Sequence, residues 1–228
     1  MSKPGCLPLR TTLLVFASLL APPLWAASLQ AELVDLAGQP LANAVLTLQG
    51  SPGGAQPAAP GVMDQRAQQF MPHVLAVRTG VAVSFPNSDD IRHHVYSFSP
   101  AKRFELRLYK GTPSEPVLFD TPGVVALGCN IHDWMLGYVY VTDDPWFAVS
   151  DEQGRVQLDG LPAGRYQVSL WHPQLVDMLS QPGGELQLGE AGSQQRFSLA
   201  VQPAEVAPAR APQSAFGDAF KKARDAAQ

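Results

Sequence analysis

Apolar and polar positions alternate along this chain in short runs, the period of half-buried β-strands rather than of helices. Val81, Val83 and Phe85 mark one such strand. Leu29 to Leu36 and Ala44 to Leu48 read as two more, joined by a turn at Ala37-Gly38-Gln39-Pro40. The 19 Gly and 21 Pro residues punctuate runs rich in Val, Leu, Phe and Tyr, so the expected fold class is all-β.

The two ends break this pattern. Lys3 and Arg10 precede an apolar run from Leu13 to Leu20, and Leu24-Trp25-Ala26-Ala27 offers small residues for cleavage. Residues 1–26 therefore read as a secretory signal peptide and imply a periplasmic protein. Cys6 precedes the apolar run rather than following it, which argues against a lipid anchor. Later segments fall short of the roughly 20 apolar residues of a membrane span. Residues 202–228, rich in Ala, Pro and charge, read as a disordered tail with one helical stretch, Phe216 to Ala227.

Between the ends, four stretches are expected: first strands at 28–49, a mobile Gly/Ala/Pro-rich linker at 50–61, and strand-dense regions at 62–142 and 146–201. Sixteen Lys and Arg against 20 Asp and Glu give a net charge of -4, and no basic stripe with interleaved aromatics is present, so nucleic acid is not an expected partner.

Removal of the signal would leave Cys129 as the sole cysteine of an exported chain, ruling out an internal disulfide. A lone thiol in an oxidising compartment needs burial, an external partner or a metal. Cys129, His132 and Met135 follow one another at Cys-x2-His-x2-Met spacing, in an expected strand, short loop and strand from Gly123 to Val141. Thiolate, imidazole and thioether are a copper set. Zinc fits less well, because a thioether is a poor ligand for it. A nucleophilic Cys/His pair lacks an evident orienting residue and leaves Met135 unexplained. The remaining donor must come from another strand, and His93-His94 opens one; neighbours on a strand face opposite ways, so only one of the two can readily reach the metal. His73 and His172 are read as structural.

From about Phe70 to Val141 the sequence resembles the cupredoxins, the small blue copper proteins such as plastocyanin and amicyanin. Phe85-Pro86-Asn87 leading to His93-His94-Val95 matches the family's first ligand strand, and the Cys129, His132, Met135 loop matches amicyanin spacing. The resemblance implies a Greek-key β-sandwich binding one copper ion, with His93, Cys129 and His132 in the trigonal plane and Met135 axial. His94 stands where the family usually has Asn, a residue that helps clamp the ligand loop.

A second resemblance covers the flanks. Asp151-Glu152-Gln153-Gly154 and Leu161-Pro162-Ala163-Gly164-Arg165-Tyr166 look like the turns of a carboxypeptidase-regulatory, transthyretin-like sandwich, whose opening is similar to Val34 to Leu48. This implies one discontinuous sandwich, from 28–49 and 146–201, with the cupredoxin inserted. The combination looks like exported bacterial proteins labelled methylamine-utilisation proteins. The resulting expectation is a monomeric, non-enzymatic one-electron carrier serving a redox partner protein; the alternative is copper binding or delivery.

Overall fold

A computed structural model describes residues 27–50, 54–113 and 115–202. The expected signal peptide, Cys6 and the tail beyond residue 202, with its helical stretch, lie outside the described residues.

Among the described residues every regular element is a strand. In chain order they are β1 (Ala27–Asp35), β2 (Val45–Gly50), β3 (Gly61–Val62), β4 (Asp64–Arg66), β5 (Gln69–Met71) and β6 (Val74–Arg78). β7 (Val81–Ser84), β8 (His93–Ser97), β9 (Phe104–Tyr109), β10 (Val117–Phe119), β11 (Gly123–Cys129) and β12 (His132–Thr142) follow. β13 (Trp146–Val149), β14 (Arg155–Leu161), β15 (Gly164–Trp171), β16 (Gln181–Leu188) and β17 (Ser193–Leu199) complete the set.

The first two strands pair with the last five. β1 lies between β14 and β17, while β2 lies between β13 and β15, with β16 beyond. Alternation explains why: Leu29, Ala31 and Leu33 of β1 point inward while Gln30 and Glu32 face solvent. β15 repeats this with Tyr166, Val168 and Leu170. The inward sets of the two sheets share one apolar core that includes Trp171.

Local chemistry sets the turns. The Asp151 carboxylate accepts hydrogen bonds from Gln153 N–H (2.9 Å) and Arg155 N–H (2.8 Å), closing an Asx turn. Gly154 completes it at φ 72°, where a Cβ would stand 2.4 Å from the Leu33 carbonyl oxygen, so only glycine fits. At the next turn the Tyr166 hydroxyl donates to Pro162 O at 2.7 Å.

The middle of the chain forms a five-stranded sheet, β6-β12-β11-β8-β9, facing a three-stranded one, β10-β7-β3, with the β4-β5 hairpin at the side. Phe85, Phe119, Val95, Val125 and Leu127 fill a second core. β12 belongs to both cores. Val139 and Val141 point into the second, whereas Tyr138 and Tyr140 point into the first and meet Trp171 at ring-centroid distances of 5.6 and 5.5 Å.

Within the expected linker, Gln56 is tied to its surroundings. Gln56 binds Pro145 O through its N–H (3.1 Å) and accepts Phe147 N–H on its side chain (3.0 Å), while Arg78 donates to the carbonyls of Gln56 and Pro145. Composition alone does not reveal such ties, because one glutamine makes them.

Replacing Trp171 with Ala should destabilise the protein by about 3–5 kcal/mol, read as a lower urea midpoint, because a fully buried indole is removed from the core. His73 and His172 are held below the ordinary histidine pKa by burial, which their backbone hydrogen bonds only partly offset. The unfolded chain therefore takes up protons that the folded chain refuses, and stability present above about pH 6.5 is lost as pH falls below it. His172→Gln should show a shallower loss of urea midpoint than the parent between about pH 7.5 and about pH 5.

Candidate metal centre

One end of the five-stranded sheet gathers the donors. β8 starts at His93 and alternates inward with Val95 and Ser97, so His93 is fully buried. Its neighbour His94 lies on the opposite face of the strand yet is also buried, with Nε2 3.0 Å from Glu105 Oε1 but out of line for a hydrogen bond, and its ring against Tyr96.

β11 ends at Cys129, and β12 returns after Asn130 and Ile131. The ligand loop expected here is thus shorter than read, since His132 and Met135 already belong to β12. Gly128 pairs with Leu136 and Cys129 with His132, which leaves Asp133, Trp134 and Met135 in a bulge. A bulge re-aims side chains. Cys129 and Met135, each 2% exposed, both lie in the second core, and His132 is half-buried.

Cys129 Sγ stands 3.8 Å from His93 Nδ1 and 3.8 Å from His132 Nδ1, and the three donor atoms lie within 4.8 Å of one another. With zinc bond lengths as a yardstick, an ion about 2.3 Å from sulfur and about 2.0 Å from nitrogen at trigonal angles places sulfur about 3.7 Å from each nitrogen. The spacing fits a bound first-row metal ion. The His93 and His132 rings are 4.9 Å apart, and Trp134 lies 5.0 Å from His132. Burial, with the nearby His93, holds the His132 pKa below its ordinary value against the pull of Asp89, favouring the neutral ring that a metal requires.

His73 and His172 lie outside this cluster. His73 packs edge-on against Tyr138, and His172 Nε2 lies 3.0 Å from the Ala42 carbonyl oxygen.

Around the donors is a polar frame that spacing did not reveal. Asn87 donates from Nδ2 to Ile91 O (2.9 Å) and Tyr109 O (2.8 Å), and its Oδ1 accepts Asp89 N–H (3.0 Å). These bonds fasten the loop that leads into His93, whereas His94 takes no part in them. The Tyr109 hydroxyl donates to Phe85 O at 2.7 Å and is bonded to Gln65 Nε2, which also donates to Pro86 O. Burial pushes the Tyr109 pKa up, so it remains a donor. The available signal was Asn87-Ser88-Asp89-Asp90, a polar run entering a strand.

No family model and no curated protein matches the chain. Among solved structures it is similar to a purple cupredoxin from Nitrosopumilus maritimus, at 21% identity and TM-score 0.33, over 36% of this chain and 99% of that one. It is similar to an amicyanin variant in its Cu(I) form at 22% identity and TM-score 0.33, over 42% of this chain and 98% of that one. A copper-containing nitrite reductase from Thermus scotoductus SA-01 matches at 21% identity and TM-score 0.35, over 49% of this chain but 28% of that one.

Gly137 lies two residues beyond Met135, where an added Cβ would approach Phe70 Cβ to 2.7 Å. Gly137→Ala should therefore cost about 1–3 kcal/mol by overpacking, measured as a lowered denaturation midpoint.

Proposed function

We propose that this protein is an exported, periplasmic copper protein that carries one electron at a time between partner proteins. Its copper would be held by His93, Cys129, His132 and Met135. The observation that carries this reading is the buried thiol of Cys129 facing two Nδ1 atoms at 3.8 Å. The thioether of Met135, next to that set in sequence and buried in the same core, favours copper over zinc.

Bound copper would supply a couple that gains or loses one electron. The rest is the work of the chain. His93 and Cys129 sit on paired strands that resist movement, so the donor positions change little when charge is added or removed. The core around Cys129 and Met135 excludes water. His132 alone among the three clustered donors is partly exposed, and Ile131 beside it is 47% exposed, offering an apolar edge where a partner could approach.

Copper delivery is the competing reading. Deep burial of His93, Cys129 and Met135 favours the carrier, because cargo must be released to a recipient. With Met135 as fourth donor no coordination position is left for a substrate, which favours a carrier over an enzyme. The periplasmic reading rests on residues 1–26, as set out above. We infer further that 28–49 and 146–201 form a transthyretin-like sandwich into which the copper unit is inserted, and that this unit steadies the copper unit through Tyr138, Tyr140 and Trp171. A monomer suffices for this role.

Copper-loaded, oxidised protein should show an intense thiolate-to-copper charge-transfer band in the visible spectrum, lost in Cys129→Ser. Copper bound without that band would remove the thiolate from the metal and defeat the carrier reading.

A further inference from the structure

We propose that Asp89 is a positioning residue that presents His93 to the metal, and that it does so from a carboxylate shared with the turn between β4 and β5. The proposal rests on the copper reading above.

The Asp89 carboxylate accepts three contacts. Oδ1 takes the Ala67 N–H at 2.7 Å, and Oδ2 takes the Gln68 N–H at 2.9 Å and stands 2.7 Å from His93 Nε2. A carboxylate that already takes two backbone N–H groups faces His93 as an acceptor. A neutral imidazole has one N–H and one bare nitrogen, so Nε2 donates to Asp89 and Nδ1 is left bare. Nδ1 is the atom that faces Cys129 Sγ. A carboxylate behind a ligating histidine in this way sets the tautomer and the ring direction, and raises the basicity of the donor nitrogen.

The other two contacts explain how the carboxylate is itself kept in place. Ala67 and Gln68 sit at φ 52° and 59°, consecutive left-handed residues in a tight hairpin turn that ordinarily takes Asn and Gly. Neither Ala nor Gln favours that backbone. Asp89 caps both N–H groups of the turn, and the turn in return fixes both oxygens of Asp89. The hairpin is anchored at its middle pair as well, since Phe70 of β5 packs on Gly137 of β12, and Gln65 of β4 binds Pro86 O and Tyr109. The hairpin therefore braces both ligand-bearing elements: β8 through Asp89, and the Cys129-His132-Met135 segment through Phe70.

The test separates positioning from simple stapling of the turn. Asp89→Ala is made in the parent and in an Ala67→Gly/Gln68→Gly background, where glycines accept the left-handed turn without help. In metal-free protein with nitrogen-labelled histidines, long-range proton–nitrogen correlation at mildly alkaline pH reads the His93 tautomer. Copper(I) affinity is read by competition with a chelator. The parent and the Gly pair alone should show His93 with its proton on Nε2. Asp89→Ala should lower the denaturation midpoint less in the Gly background, relative to the Gly pair, than in the parent. His93 should nevertheless become a mixture of tautomers there, and copper(I) affinity should fall about 10–100-fold. If His93 keeps its Nε2 proton in Asp89→Ala, or if the Gly pair restores tautomer and affinity together, Asp89 only staples the turn and the proposal is overturned. The tautomer is read without metal, so it decides the role of Asp89 even if the parent takes up no copper, an outcome that would sink the copper reading instead.

Discussion

Burial of a thiol between two imidazoles is the constraint on which the rest of this protein turns. Sulfur and nitrogen donors withdrawn from water lose hydration, and donors facing one another across 3.8 Å return little of it, because a thiol is a weak hydrogen-bond partner. The arrangement becomes favourable once a cation sits among them. The surrounding scaffold must therefore hold three donors in place against their own preference for solvent. Strand pairing does this for Cys129 and His132, which are register partners, and the β8 alternation does it for His93.

β12 transmits that order outward. Its two faces serve different cores, with Val139 and Val141 on one side and Tyr138 and Tyr140 on the other. A strand buried on both faces, paired with β11 and β6, has little freedom to shift in register. The sheets built from both ends of the described chain thus back the strand that carries His132 and Met135. Asn87, Tyr109 and the β4-β5 hairpin brace the opposite approach to His93.

Much of this was legible in the sequence. Period-two alternation and Gly/Pro punctuation carry the all-β class, and Cys-x2-His-x2-Met spacing points to Cys129 and His132, two of the three residues that the structure clusters. The resemblance names His93 rather than His94, and the structure places His93 in the cluster with Cys129 and His132. The bulge at Asp133, Trp134 and Met135 was hidden because the same spacing suits a loop or an irregular strand. Asp89 and Asn87 were hidden for a different reason. Their partners, Ala67, Gln68 and Tyr109, lie some twenty positions away, and polar residues in a turn-rich run have no period to betray a long-range role. Gln56 escaped notice in the same way, as a single polar residue tying down an otherwise featureless segment.

X-ray absorption at the copper edge of the loaded protein tests the central claim most directly, because it reads the donor atoms themselves. A single short sulfur contact together with two imidazole nitrogens is the result that Cys129, His93 and His132 require. A shell of nitrogen and oxygen alone, with no short sulfur, would contradict a metal centre built on Cys129.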